Sequence, residues 1–234
     1  MPESAPADCA EVLNRARTAA AAGRHADALR DLLWFHEHAL EHQPSLYGVR
    51  LSFALGAWKD LATIYPPAMQ ALRAAKHRGE ARLANGEGGR GGFHDVVAIN
   101  RELGLAADTY ALYRQLLQAH PTLARQCRDL AIEAIVDAQD YELAAATLPH
   151  PESYLLGLSE RLDAALARAR AMPHGARARR EAELRNYCHD VHIALKVLRG
   201  LGHTAGAEAA LIWAIALVER AADRARVAEL LGAR

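Results

Sequence analysis

The polar and apolar positions of the chain follow a helical spacing almost from end to end. Apolar residues return at steps of three and four, the period of an amphipathic helix, and we find no alternating strand pattern. Glycine and proline divide this pattern into pieces of helical length. The predicted helices cover residues 8–22, 25–42, 46–64, 66–83, 94–103, 106–119, 122–138, 141–148, 152–171, 177–200, 204–220 and 222–231. We therefore predict an all-α fold.

The clearest interruption is the segment NGEGGRGG at 85–92, which has five glycines in eight residues. Glycine adds backbone freedom and brings no side chain to pack, so we expect a flexible loop here. The segment follows a predicted helix and lacks the Gly-Lys-Ser/Thr ending of a phosphate-binding loop. We predict a single helical-repeat domain over residues 1–234, in which this loop separates an N-terminal half (1–84) from a C-terminal half (93–234).

Three pairs of predicted helices share one pattern around their turns. In each pair a small residue lies five positions after the turn residue, and a large apolar residue lies four positions further on. The turn residues are Gly23, Gln139 and Gly202, the small residues are Ala28, Ala144 and Ala207, and the large residues are Leu32, Leu148 and Leu211. A small residue lets two antiparallel helices approach closely, and a large one fills the groove of the next pair.

This pattern resembles the tetratricopeptide repeat (TPR), and DAQDYELA at 137–144 is the closest local match. The first helices lack the aromatic residue usual in that family, and the turns do not recur at its period of about 34 residues. The resemblance therefore implies an irregular TPR-like α-solenoid of antiparallel helical hairpins. It also implies that the first helix of each hairpin lines a concave surface that binds a protein partner.

The resemblance also places the candidate partner-binding residues in two stripes at three- and four-residue steps. The second hairpin supplies Gln126, Asp129, Glu133 and Asp137, and the third supplies His189, His192, Lys196 and Arg199. One stripe is acidic and the other basic, so together they would orient a partner segment that carries both charges. Two simpler interpretations stay open, namely two solvated faces or two stripes that pair with each other. Trp34, which departs from the apolar face of its helix, either packs under another helix or is a further binding anchor.

The stretch LWFHEHALEH at 33–42 suggests a metal site. His36 falls in the middle of the apolar face of its helix, so we interpret it as a core histidine bonded to a neighbouring group. Only His38 and His42 are neighbours on the surface, whereas zinc needs three or four ligands. We predict no bound metal and no cofactor.

The predicted helix 46–64 carries Gly48, Ser52 and Gly56 along one side. Glycine inside a helix costs about 1 kcal/mol relative to alanine, so two of them need a reason. We expect close approach of a neighbouring helix or of a partner segment.

Charge and cysteine usage narrow the class of protein. Lys+Arg and Asp+Glu both number 28, so there is no net charge to attract nucleic acid or an anionic membrane. No apolar run approaches the roughly 18 residues of a membrane span, and the N-terminal residues lack a signal-peptide core. The three cysteines are widely spaced and odd in number, which is typical of a reducing compartment. We expect a cytoplasmic protein without a membrane or nucleic-acid partner.

Two other classes stay open beside protein binding. Cys188 lies one turn from His192, so an enzyme that uses this pair, or the histidine-rich helix, is one alternative. An RNA-binding module that uses the arginines of 161–185 is the other, although a solvated helix face explains them more simply. No complete catalytic set is present, so we favour a protein–protein interaction module. A dedicated inhibitor, such as the immunity protein of a bacterial toxin, a chaperone and a regulator all fit this class.

Overall fold

The computed structural model describes residues 8–233, and all regular secondary structure in that range is helical. The α-helices are α1 (Cys9–Ala21), α2 (His25–His42), α3 (Tyr47–Val49), α4 (Leu55–Ile64), α5 (Pro66–Ala84), α6 (Gly89–Leu103), α7 (Ala106–Ala119), α8 (Pro121–Asp137), α9 (Tyr141–Thr147), α10 (Pro151–Arg170), α11 (Ala176–Gly200), α12 (Thr204–Ala216) and α13 (Ala221–Leu230). A 3-10 turn (Pro44–Leu46) precedes α3, and a π-helical segment (Arg50–Ala54) joins α3 to α4. The prediction of an all-α fold is confirmed.

The chain forms two compact units, an N-terminal unit that ends at Leu130 and a C-terminal unit that begins at Ala131. The division falls within α8, whereas the sequence analysis placed the boundary between its two halves at 85–92. No helix within residues 8–233 is long and apolar enough to cross a membrane.

The glycine-rich segment is more helical than its composition predicts. Only residues 85–88 lie outside helices, because α6 begins at Gly89. Arg90 supports this first turn: its guanidinium donates to the carbonyl of Gln126 at 2.7 Å and to a carboxylate oxygen of Asp129 at 2.8 Å. The prediction of a loop through residue 92 was therefore wrong, since a side-chain contact far along the chain offsets the low helix propensity of glycine.

Five helix–helix turns close in the same way. In each, a residue with a left-handed backbone donates its N–H to the carbonyl three positions back, and the next N–H reaches the carbonyl five positions back. These hydrogen bonds measure 2.8 to 3.2 Å and form the Schellman motif that ends many helices. The left-handed residues are Gly23 (φ 74°), Gly86 (φ 77°), Gly104 (φ 70°), Gln139 (φ 59°) and Gly202 (φ 80°).

Four of the five turns are followed, five positions later, by a buried small residue, and the turn at Gly86 is followed by the exposed Gly91. Ala28, Ala144 and Ala207 are fully buried. The sequence analysis predicted a break between helices at Gly104 but did not assign this α6–α7 turn to the hairpin pattern, because Thr109 occupies the place of the alanine. Thr109 is also buried, and its hydroxyl accepts a hydrogen bond of 3.0 Å from the side-chain amide of Asn100.

The N-terminal unit stacks successive helices around a core centred on Trp58. The indole of Trp58 is buried, and its N–H donates to the carbonyl of Ala68 at 3.0 Å. Gly79 permits the close contact of α5 with α6, since a Cβ at this position would lie 2.6 Å from Val96 Cγ2. The buried members of this core include Leu32, Leu51, Leu55, Leu61, Leu72 and Ile99.

The C-terminal unit is organised around α11, which contacts α9, α10, α12 and α13. Its core includes Leu162 of α10, Leu184 and Val191 of α11, and Val227 of α13. Gly200, at the end of α11, lies directly against the ring of Tyr141 in α9, where a side chain would not fit. These contacts leave one face of α11 uncovered.

Candidate functional site

The uncovered face of α11 carries the predicted basic stripe. His189, His192, Lys196 and Arg199 are all exposed, whereas Leu184, Val191 and Leu195 face the core of the C-terminal unit. The side chains of His192, Lys196 and Arg199 make no hydrogen bond or ion pair with any residue of 8–233. Three of the four side chains of the stripe therefore have no ion-pair partner within the described residues.

The acidic stripe meets the basic stripe at one point in the C-terminal unit. Glu133 and Asp137, at the end of α8, are exposed. An oxygen of Glu133 lies 3.7 Å from Nε2 of His189, with both side chains more than half exposed. At this distance and exposure the contact contributes little to stability. The interpretation in which the stripes pair with each other thus applies to one weak pair.

The other half of the acidic stripe lies in the N-terminal unit and is partly engaged. Asp129 is held by the Arg90 guanidinium of α6, and the carbonyl of Gln126 accepts from the same group. Burial is the largest single influence on the Asp129 carboxyl and raises its pKa, but the hydrogen bond from Arg90, the charge of Arg90 and a backbone hydrogen bond together outweigh it and leave the pKa below its ordinary value. Asp129 is therefore occupied inside its own unit.

Trp34 is half-buried and lies in a row of rings along α2. Its indole stacks on the His42 ring at 5.5 Å and meets the His38 ring at 5.7 Å. Nδ1 of His38 also lies 3.2 Å from a carboxylate oxygen of Glu41. Within residues 8–233, no three His, Cys, Asp or Glu side chains are grouped so that they could hold a metal ion.

His36 turns toward the core but lacks the hydrogen bond expected for it. Its ring meets Trp58 edge-on, with centroids 5.5 Å apart, and its buried Nδ1 has no hydrogen-bond partner in the described part of the chain. Burial, reinforced by the nearby Arg50, lowers the pKa of His36 to about 4. His36 is thus a neutral residue at pH 7, and the expectation that its ring bonds to a neighbouring group was wrong.

A cleft beside His36 was not predicted from the sequence. It lies in the N-terminal unit between α2, α5 and α6 and has a volume of about 350 Å³. Arg50 of the π-helical segment is 8% exposed and donates to both carboxylate oxygens of Asp95 at 2.6 and 2.7 Å. Its Nε donates to the carbonyl of His36 at 2.7 Å. Arg50 and Asp95 are 45 positions apart, so no local pattern pointed to this ion pair.

A second cluster adjoins the Arg50–Asp95 pair. The hydroxyl of Tyr47 lies 2.8 Å from Nδ1 of His94, and the two rings are 5.5 Å apart. Burial lowers the pKa of His94 and raises that of Tyr47. Both groups are therefore held in their neutral forms at pH 7.

The two alternative chemistries receive little support from the geometry. Cys188 is 4% exposed, and burial raises the pKa of its thiol to about 11, which is the opposite of an activated nucleophile. The His192 side chain is exposed, and no hydrogen bond joins it to this thiol, whose own contact is the carbonyl of Val227. In the arginine stretch, Arg179, Arg180 and Arg185 form ion pairs with acidic residues of their own unit.

The row of small residues on α3 and α4 also differs from its prediction. A Cβ added at Gly48 or Gly56 would meet no atom within 4 Å, so no neighbouring helix of the described chain packs there. Phe53, on the same helical stretch, is 77% exposed. The expectation of close helix packing at this row was wrong.

No protein-family model, no curated protein and no solved structure matches the chain.

Proposed function

We propose that this chain is a protein-binding module that recognises its partner through the exposed face of α11. The observation that carries the proposal is the stripe of His189, His192, Lys196 and Arg199, which is exposed and almost unpaired on a helix whose other side is fully packed. Charged side chains that are free of intramolecular pairs are available to a partner without the loss of an existing interaction.

The hairpin geometry supports the further proposal of an irregular TPR-like α-solenoid. Five turns share one hydrogen-bonding pattern, and a buried small residue follows four of them at the same distance. In repeat proteins of this kind the first helices present the binding surface. α11 is the first helix of its hairpin, which supports its exposed stripe as the binding surface.

The charges on this surface favour a partner segment with an acidic portion. Lys196 and Arg199 form the basic end of the surface, whereas Glu133 and Asp137 add acidic groups on the neighbouring α8. Such a surface selects the orientation of a segment that carries charges of both signs. A dedicated inhibitor, including a toxin immunity protein, a chaperone or a regulator in the cytoplasm would each use a surface of this kind.

The test uses three versions of the full chain as baits in an extract of the source organism. The wild type is compared with a double charge reversal of the stripe (Lys196→Glu with Arg199→Glu). A matched control reverses two exposed arginines of the same unit that lie outside the stripe (Arg177→Glu with Arg220→Glu). We expect a protein that the wild type and the control retain and that the stripe variant loses. Equal retention on all three baits would place the binding surface elsewhere, with the Trp34 surface next to be tested.

A further inference from the structure

We propose that the cleft between α2, α5 and α6 binds a small organic oxyanion, meaning a carboxylate or a phosphate ester on a compact apolar body. This site belongs to the N-terminal unit and is independent of the protein-binding surface proposed for α11. Its volume of about 350 Å³ falls in the range of roughly 300 to 1,000 Å³ that is usual for small-molecule sites.

Arg50 forms a fixed part of the cleft wall. Its guanidinium is committed to Asp95 through two hydrogen bonds of 2.6 and 2.7 Å and to the carbonyl of His36 through a third of 2.7 Å. Breaking these contacts would leave a buried charge unpaired, so Arg50 stays in place when a ligand enters. The wall of the site is therefore pre-formed.

Arg78 and Arg82 supply the charge that remains available. They lie one turn apart on α5, and both line the cleft. Arg78 contacts Glu37 at 3.4 Å, but both side chains are about half exposed, so this pair is weak. The side chain of Arg82 makes no ion pair or hydrogen bond with any residue between 8 and 233.

The balance of charge in the cleft favours an anion. Three arginines face two carboxylates, those of Glu37 and Asp95, while His36 is neutral at pH 7. The excess positive charge lies at Arg82. A planar guanidinium donates two parallel hydrogen bonds to a carboxylate or a phosphate, which a lysine cannot do.

The rest of the lining suits a compact apolar body. Ala75, Val96 and Ile99 face the cleft beside the arginines, and Gly79, Gly88 and Gly92 bring no side chain to fill it. A free inorganic ion would leave this apolar surface unused. A ligand with an anionic head and a small apolar group would contact both parts of the lining.

Calorimetric titration of the full chain with phenyl phosphate, benzoate and phenol tests the proposal. All three share the ring, and only the first two carry an anion at pH 7. We expect saturable binding of at least one anionic probe and none of phenol. Binding of phenyl phosphate alone identifies a phosphate ester, binding of benzoate alone identifies a carboxylate, and binding of both identifies the shared oxyanion chemistry. No saturable binding of either anion, or equal binding of phenol, would overturn the proposal.

Variants on α5 locate the site. Arg82→Gln should weaken binding of the anionic probe about tenfold, the effect of losing one charge-assisted contact. Arg82→Lys should retain part of the affinity, because it keeps the charge without the planar fork. Arg73→Gln removes an exposed arginine of the same helix outside the cleft and should bind as the wild type does. An equal loss in Arg73→Gln and Arg82→Gln, with unchanged thermal melting, would show that binding follows net charge rather than this cleft.

Discussion

The buried ion pairs of the N-terminal unit and the exposed face of α11 use charged residues in opposite ways. In the N-terminal unit, Arg50, Lys76 and Asp31 are each less than 10% exposed, and each is held by an oppositely charged side chain. On α11, Lys196 and Arg199 are exposed and have no partner within the described residues. The comparison indicates that the first set of charges determines the shape of its unit and that the second is available to another molecule.

The physical basis of this difference is desolvation. Placing a charge in the protein interior costs several kcal/mol, and only a well-placed opposite charge with further hydrogen bonds offsets this cost. An exposed charge keeps its water, so its replacement changes stability by about 0.5 kcal/mol or less. Substitutions in the two regions should therefore separate stability from binding.

The largest effect is expected at Asp95. Asp95→Ala leaves the Arg50 guanidinium buried without its carboxylate, so we expect the free energy of unfolding to fall by about 3 to 5 kcal/mol. Urea denaturation measures this loss. Asp137→Ala, at an exposed position of α8, is the control and should change the free energy by about 0.5 kcal/mol or less. Equal losses of unfolding free energy in the two variants would contradict the distinction between a buried charge that holds the fold and an exposed charge that does not.

A smaller effect on stability is expected from the protonation of His36 at low pH. Its pKa is lowered to about 4 in the folded chain, whereas an unfolded histidine has a pKa of about 6.5. The unfolded chain therefore takes up this proton first as the pH falls. The stability that His36 contributes is complete above about pH 6.5 and declines as the pH drops toward 4.

Urea denaturation at pH 7.5 and pH 5 measures this decline. The wild type should lose about 2 kcal/mol more than His36→Leu between the two pH values. His77→Leu removes an exposed histidine of α5 and should keep the full pH dependence of the wild type. The same slope in the wild type and His36→Leu would mean that His36 is not the buried titrating group.

The smallest effect on stability is expected from substitutions in the helix–helix turns. All three turns of this type described in the N-terminal unit have glycine at the left-handed position, whereas the α8–α9 turn has Gln139 at φ 59°. A side chain is strained in this conformation, so Gln139→Gly should raise the free energy of unfolding by up to about 1 kcal/mol. Gly104→Ala introduces a side chain at the left-handed position of the matching turn, so it should lower the free energy of unfolding by about 1 kcal/mol. A loss of stability in Gln139→Gly would show that the glutamine side chain is required.

The helices and three of the hairpin turns were predictable because their signals are local. Apolar residues that recur at helical spacing can be recognised within about twenty consecutive residues. The same is true of a small residue five positions after a turn. The α6–α7 turn was not assigned to the hairpin pattern because a buried threonine replaces the alanine. The boundary of α6 was missed because the contact that supports it, between Arg90 and Asp129, joins positions 39 apart.

The two candidate sites also differ in whether the sequence could predict them. The exposure of Lys196 and Arg199 was predictable, since the opposite positions of α11 are apolar at a three- and four-residue spacing. The cleft was not predictable, because its arginines come from the π-helical segment and α5, and only the fold brings them beside His36. At Gly48 and Gly56 the sequence led to a wrong prediction, since a row of small residues suggested close packing where the structure has an open surface.

The most direct test of the account is a calorimetric titration of the partner, once it has been identified and purified, with three versions of this chain. The account predicts that Lys196→Glu with Arg199→Glu weakens partner binding at least about tenfold. It predicts wild-type affinity for Arg177→Glu with Arg220→Glu, and melting temperatures within a few degrees of the wild type for both variants. Unchanged affinity in the stripe variant would contradict the claim that α11 presents the binding surface.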